Sequence, residues 1–401
     1  MPAFHHSHAM FLGVGAGRHG SLRMSLSLII GIFALTAGCG SHASDASNDD
    51  DHPDPYSLKT MTKIADNGGR GGFSPDGGRI AFDRKEPTTG YYGLWIMNAD
   101  GSAQRPLMAS RPAGFPTRHG GNPAWHPSGD WLLVNAQKQV HPGAGTSIFD
   151  AVAEPGIGFN NDLWIVSSDG TEAYRLWENP TPASVLAPQP GLYNARFDHS
   201  GTRVAWTHIY NGAEGAWGDF AIRVADFTLE PEPHLVTGSL HEYDPVAACN
   251  FKEVHGWSPD DTRLVVSGNW RLQHEYDQDI GLLDLSTGEI DDLTPAPGDV
   301  WTEAATIHPA GEKIVYMSSE GYPLQYASAS WWTWLKTDYW IMDLDGSDRR
   351  RLTYFNAPGH AEYNGDRVNA AAFKFSPDGT KMVGVLSRNA ALEIWIFAFG
   401  R

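Results

Sequence analysis

The chain is poor in cysteine, in positive charge and in long hydrophobic runs. Two cysteines in 401 residues exclude a disulfide framework as the source of its stability. It has 29 basic residues against 47 acidic ones, and its formal net charge is −18. Proteins bind nucleic acids mainly through Lys and Arg that neutralise phosphates. We therefore expect no nucleic-acid partner.

The hydrophobic run from Leu26 to Ala37 is shorter than the roughly 20 residues that a membrane-spanning helix needs. It follows Arg18 and Arg23 and ends just before Cys39, which is typical of a secretory signal. The small residues before Cys39 resemble a lipobox, in which the cysteine is lipidated and begins the mature chain. An ordinary cleaved signal is the alternative. We predict a lipoprotein-type signal peptide over residues 1–38 and a membrane anchor through the lipid on Cys39 only.

The segment 39–55 is polar and acidic, so we predict a disordered tether there. Gly40 after Cys39 resembles the outer-membrane sorting pattern, which places the protein in the cell envelope, on the periplasmic side of the outer membrane in a Gram-negative host. Without residues 1–38 the formal charge is −20, which disfavours a polyanionic ligand unless a cation mediates. If Cys39 carries a lipid, Cys249 has no partner and should be a buried free thiol.

Two short phrases each occur six times over residues 56–401. The first is an aromatic or apolar residue, a turn such as Ser-Pro-Asp-Gly and an apolar run; its copies begin at Phe73, Trp125, Phe197, Trp257, Ile307 and Phe375. The second is an apolar run that often precedes Asp-Gly; its copies begin at Leu94, Leu163, Ala221, Ile280, Tyr339 and Glu393. Such runs and turns predict strands joined by hairpins.

Six copies of a four-stranded unit predict a closed β-propeller. The last copy stops after its third strand, at Arg401, and its missing outer strand is predicted to come from residues 57–64. The phrases resemble those of the TolB-like propeller family. This resemblance implies an all-β fold, a six-bladed β-propeller of four-stranded antiparallel blades over residues 56–401. TolB itself has a smaller α/β domain in front of its propeller, where this chain has the tether, so a Tol–Pal role is not implied.

In such a blade the strands run from the central channel outward, A to D. The tight turns join A to B and C to D on one face, whereas all long insertions fall in the B–C and D–A connections on the other. We call the second face the looped face and predict that it carries the function. The candidate ligand-binding residues there are His119, His208, His241, Glu242, Trp270, His274, Glu275, Trp301, Glu303, Trp331, Trp332, Trp334, His360 and Glu362.

Three histidines in similar words, His241, His274 and His360, are candidate ligands for a divalent metal in the channel mouth. The alternative is that each histidine caps a loop or packs on a neighbouring ring, since no close metal-binding spacing occurs. The three tryptophans of residues 331–334 would suit a glycan or protein partner if exposed.

Two functions follow from these patterns. The first is a lipid-anchored binding or scaffold propeller that presents its looped face to an envelope protein or glycan. It is favoured because the sequence has no Gly-x-Ser-x-Gly nucleophile elbow. The second is a metal-dependent carbohydrate enzyme, since oligogalacturonate lyases resemble this chain in their propeller repeats and hold a metal with histidines.

Overall fold

The computed structural model describes residues 54–400 except 212–217, 247, 248, 250, 273–276, 296–299, 323 and 325–334. The predicted signal peptide, Cys39 and all but the last two residues of the tether lie outside this range. Within it the chain forms six antiparallel sheets arranged as the blades of a propeller, as the repeats predicted. No helix of the described residues is long and apolar enough to cross a membrane.

Each blade takes its strands in chain order from the channel outward. The chain enters through β1 (Leu58–Asp66). Blade 1 contains β2 (Gly68–Phe73), β3 (Arg79–Lys85), β4 (Tyr92–Asn98) and β5 (Arg105–Pro106). Blade 2 contains β6 (Gly120–Trp125), β7 (Trp131–Gln137), β8 (Asn161–Ser167) and β9 (Ala173–Trp177), with the short helix α1 (Ser147–Val152) between β7 and β8. Blade 3 contains β10 (Gly191–Phe197), β11 (Arg203–Asn211), β12 (Asp219–Thr228), β13 (His234–Leu235) and β14 (His241–Tyr243).

The second half of the ring follows the same plan. Blade 4 contains β15 (Lys252–Trp257), β16 (Arg263–Gly268), β17 (Asp279–Asp284) and β18 (Ile290–Asp292). Blade 5 contains β19 (Thr302–Ile307), β20 (Lys313–Ser318), β21 (Asp338–Asp343) and β22 (Arg350–Arg351). Blade 6 contains β23 (Val368–Phe375), β24 (Lys381–Arg388) and β25 (Ala391–Phe399).

The ring closes by pairing its two ends. Strand β1 lies antiparallel to β25, with Met61 opposite Phe397 and Asp66 opposite Glu393, and so becomes the outer strand of blade 6. This confirms the prediction that residues 57–64 supply the missing strand. Without this pairing, β25 would present an open sheet edge to solvent.

The first phrase forms the predicted hairpin turn. In blade 1, Ser74 Oγ donates to Asp76 Oδ1, which also accepts from the amide of Gly78, and Gly77 has φ +70°. Glycine adopts that conformation at little cost. Blade 6 repeats the contact, with 2.6 Å between Ser376 Oγ and Asp378 Oδ1. The turn chemistry recurs because each blade must reverse its chain at the same place.

The core lies between neighbouring blades. The apolar residues of β3, β4, β7 and β8 pack in one such layer, around Leu132, Val134 and Trp164. Other layers separate the remaining blades, and Trp206, at the centre of the next one, is fully buried. Because each sheet is covered on both faces, its middle strands contain uninterrupted apolar runs, such as residues 131–134 of β7.

Candidate functional site

The six inner strands share an irregularity halfway along the channel. In each of β2, β6, β10, β15, β19 and β23, one extra residue bulges out of register with the second strand of its blade. Asn122, Asn194 and Ala304 adopt a left-handed backbone conformation at their bulges, with φ of 53°, 52° and 52°. Bulges re-aim side chains and are common next to active sites. Here they bring residues of the six inner strands to one level of the channel. We call this level the waist; Arg70, Arg196 and Lys374 lie there.

The waist separates two cavities. The first is lined by residues near the starts of the inner strands and by the insertion of blade 2, so it opens on the looped face. It holds about 1240 Å³ of space that no protein atom fills, including its open mouth. The second, on the opposite face, is lined by Phe73, Trp125, Phe197 and Phe375, the aromatic residues that begin four of the turn phrases.

Three basic side chains, Arg70, Arg196 and Lys374, line both cavities. The Arg196 guanidinium donates to the carbonyl of Ala195 and, at 3.3 Å, to the side-chain oxygen of Asn122. Lys374 Nζ donates to the carbonyl of His255 at 2.7 Å. Burial, together with the nearby Arg196, holds the pKa of Lys374 well below its ordinary value. These cations are held at the waist by neutral oxygens.

A buried carboxyl pair lies beside them. Glu253 and Glu303 are 4% and 5% exposed, and both line the cavity of the looped face. Asn194 Nδ2 donates to Glu253, and Trp301 Nε1 donates to Glu303 at 3.0 Å. Burial, and then the adjacent Glu303 carboxyl, raise the pKa of Glu253 well above its ordinary value. Each carboxyl group therefore disfavours ionisation of the other, and Glu253 is protonated more readily than an exposed glutamate.

A second acidic group lies under the insertion of blade 2. Asp83 accepts from the amide of Asn122 at 2.8 Å, and Glu154 forms an ion pair with Lys85 at 2.7 Å. Burial raises the pKa of Asp83 to about 6, against the opposing effect of Arg70. Gly156 follows Glu154, and any side chain there would overlap the Arg70 guanidinium. The insertion can therefore pack directly against Arg70.

Most of the exposed apolar side chains lie on the looped face. Of the ten large hydrophobic residues that the structure describes as exposed, Tyr210 lies at the looped-face end of strand β11 and seven lie in B–C or D–A segments: Val140, Ile148, Val185, Leu186, Val246, Leu272 and Tyr363. Leu186 is 94% exposed and Val140 is 78% exposed. The other two lie in the interrupted outer strand of blade 3. We call the eight residues the apolar rim.

The sequence-predicted residues fall into three groups. Five are buried: His119, His208, Trp270, Trp301 and Glu303. Of these, only Trp301 and Glu303 are brought together, by their hydrogen bond in the channel. His119 accepts from the amide of Tyr92, and burial lowers its pKa to about 4, while burial lowers that of His208 to about 3. Their roles are those of neutral packing residues.

The second group lies outside the channel. His241 and Glu242 belong to strand β14 on the outer edge of blade 3, not to a loop, and Glu242 forms an ion pair with Arg223. His360 stacks on Tyr354 with 3.9 Å between ring centroids, and Glu362 is partly exposed nearby in the same connection. The third group, His274, Glu275, Trp331, Trp332 and Trp334, lies outside the described residues.

The proposed metal ligands are therefore tested only in part. Of the three, His241 lies in strand β14 and His360 stacks on Tyr354. Among the residues that the structure describes, no group of three or more His, Cys, Asp or Glu has the arrangement of a metal site. Cys249 is a buried thiol, as predicted.

Sequence reasoning missed most of the waist. None of Arg70, Asn194, Arg196, Glu253 and Lys374 was singled out from the sequence. A signal was present, because each lies one to four residues before the aromatic residue of a turn phrase, where an apolar strand residue is expected. The innermost strand of a propeller faces a channel, and polar residues there point to its lining.

Comparisons with known proteins agree on the fold. No protein-family model matches the sequence, and no curated protein matches it. Among solved structures, the putative TolB from Agrobacterium tumefaciens is 13% identical, with a TM-score of 0.51 over 85% of this chain and 97% of that one. TolB from Acinetobacter baumannii is 17% identical over 81% of this chain, with a TM-score of 0.49, and this chain spans 65% of its length.

An oligogalacturonate lyase from Vibrio parahaemolyticus is 11% identical, with a TM-score of 0.46 over 83% of this chain and 77% of that one. At these identities a likeness concerns the fold alone. The described chain has the fold of a six-bladed propeller, similar to that of the putative TolB from Agrobacterium tumefaciens.

Proposed function

We propose that this chain is a binding propeller of the cell envelope, which grips a protein partner with its looped face and is attached to a membrane through the lipid on Cys39. The observation that carries the proposal is the apolar rim. Exposed apolar patches bordered by polar residues mark protein interaction sites. The rim residues are mostly aliphatic, which favours a protein over a glycan, because sugars stack on aromatic rings.

The rest of the structure supports this choice. Tight turns close one face, whereas the other combines long connections, the apolar rim and the open mouth of a deep cavity. Loops positioned on a rigid scaffold are where binding residues concentrate. A partner that covers the rim can place a polar segment in the cavity.

The size of the effect can be worked out for one rim residue. Leu186 is 94% exposed in the free protein. Burying a leucine side chain in an interface contributes about 1.5–3 kcal/mol. Leu186→Glu removes that contribution and places a charge in an apolar contact, so partner affinity should fall at least about tenfold.

The test uses a photo-crosslinking amino acid in the full chain, expressed in its host. One variant carries it at position 186 and another at position 148, and a control carries it at Asp100, in the C–D turn of the opposite face. We expect one defined protein adduct from the first two positions and none from the control. Equal adducts from both faces, or none from the rim, would refute the proposal. The anchor is tested separately, because Cys39→Ser should release the protein from the membrane fraction.

A further inference from the structure

Three basic side chains meet at the waist of the channel, where Asp83, Glu154 and Glu253 act on the charge of Arg70 or Arg196 without a close ion pair. Among the described residues, none of Arg70, Arg196 and Lys374 has a carboxylate oxygen within 4.0 Å of its charged nitrogens. The Nε atom of Arg196 is buried and has no hydrogen-bond partner there. A buried donor without an acceptor costs free energy and is unusual in a native protein.

The three cations also act on one another. Burial and then Arg196 lower the pKa of Lys374, whereas Glu253 opposes this shift. Burial also lowers the pKa of Arg196, with Glu253 opposing the shift and Arg70 adding to it, so the three cations repel one another. Such repulsion within a buried site is destabilising until an opposite charge enters it.

The neighbouring acids supply that charge only in part, because burial raises the pKa of Glu253 and so favours its protonated form. Glu253 accepts from Asn194 and lies 4.0 Å from His255, and Glu303 accepts from Trp301. A protonated carboxyl group is also a hydrogen-bond donor. The pair can therefore lie beside an anion and donate to it.

We propose that the waist of the channel is a binding site for a small oxyanion, carried by phosphate or by a carboxylate group, which Arg70, Arg196 and Lys374 coordinate together. Arginine matches planar and tetrahedral oxyanions with paired N–H groups, and the free Nε of Arg196 provides one such donor. The site lies where both cavities meet, so an anion can reach it from either face. The inference concerns the channel and does not depend on the partner of the apolar rim.

The experiment measures thermal unfolding of the purified mature chain in increasing concentrations of sodium phosphate or sodium acetate, with sodium chloride at equal ionic strength as the reference. We expect at least one of the two oxyanions to raise Tm by about 2 °C or more over chloride, in a saturable manner. A rise with phosphate alone would identify a tetrahedral anion site, whereas a rise with acetate identifies a site for carboxylates.

Two variants make the test specific. Lys374→Met removes one waist cation and should abolish the oxyanion effect, while its Tm in chloride stays equal to or above that of the native chain because repulsion is relieved. Lys381→Met makes the same change at an exposed lysine of the same blade and should keep the effect. A native chain that responds to no oxyanion beyond chloride, or a Lys374→Met variant that responds as the native chain does, would overturn the proposal. The result of the crosslinking experiment at the apolar rim does not depend on whether oxyanions bind at the waist.

Discussion

Glu253→Gln should stabilise the protein above neutral pH. Burial and the Glu303 carboxyl raise the pKa of Glu253 far above its value in the unfolded chain, so the folded chain retains a proton that the unfolded chain loses. Stability from this group is fully present below the unfolded pKa of about 4.5 and decreases as pH rises toward the folded pKa. A glutamine resembles the protonated carboxyl and has no proton to lose.

The expected size follows from linkage. One proton retained by the folded chain costs about 1.4 kcal/mol of unfolding free energy for every unit of pH. The native chain should therefore lose stability at this rate relative to Glu253→Gln for as long as the pH lies between the unfolded and the folded pKa. The glutamine can accept from Asn194 through its oxygen and donate to Glu303 through its amide, so both neighbours keep a partner.

The assay is urea unfolding followed by tryptophan fluorescence at pH 5, 6.5 and 8. Burial lowers the pKa of His255 and His208 to about 3, and these groups remove stability as pH falls below 6.5. His255 lies 4.0 Å from Glu253, so the comparison that isolates residue 253 is the one between pH 6.5 and pH 8, where both histidines are neutral in the folded chain. Glu289→Gln, at an exposed turn, is the matched control and should give a difference that is flat with pH. A Glu253→Gln variant that is less stable by the same amount at every pH would show that Glu253 is ionised in the folded chain.

Three further outcomes are expected. Burial raises the pKa of Cys249 to about 11, so this thiol should not react with a disulfide reagent at pH 8 until the chain is unfolded; rapid reaction of the native protein would contradict its burial. Lys138→Met should cost up to about 3 kcal/mol in urea unfolding because it removes the closer ion pair of the buried Asp162, at 2.9 Å, and leaves only Arg175 at 3.6 Å; an unchanged midpoint would refute that role. Deleting residues 56–65 should abolish cooperative unfolding because it removes β1 and opens the ring, whereas a normal melting curve would show that the ring does not need this strand.

The two proposals divide the looped face into a rim and a channel. The rim offers apolar contact area, which supplies most of the free energy of protein association. The waist offers charge in a water-poor place, where electrostatic contacts are stronger than at the surface. A partner with an anionic group on a projecting segment would use both, and the two experiments separate the contributions.

The candidate site was only partly predictable. Trp301 and Glu303 were selected because they follow a long connection, and both do line the channel. His119 and His208 lie at similar positions in the sequence but point into packed surroundings, where burial keeps them neutral. The periodicity of the sequence predicts the strand to which a residue belongs. The blade against which its side chain packs depends on the twist of the sheet and on neighbouring loops.

By itself, the sequence determined the architecture. Six copies of two phrases set six blades, the turn chemistry set the hairpins, and the incomplete last copy required the N-terminal strand to close the ring. These patterns are local in the sequence and recur in each of the six blades. Only the tertiary structure decided the waist. Arg70, Arg196 and Lys374 belong to blades 1, 3 and 6, and they meet because ring closure and six bulges bring distant inner strands to one level. No local sequence pattern predicts that these three residues lie close together, because their proximity depends on the radius of the closed ring.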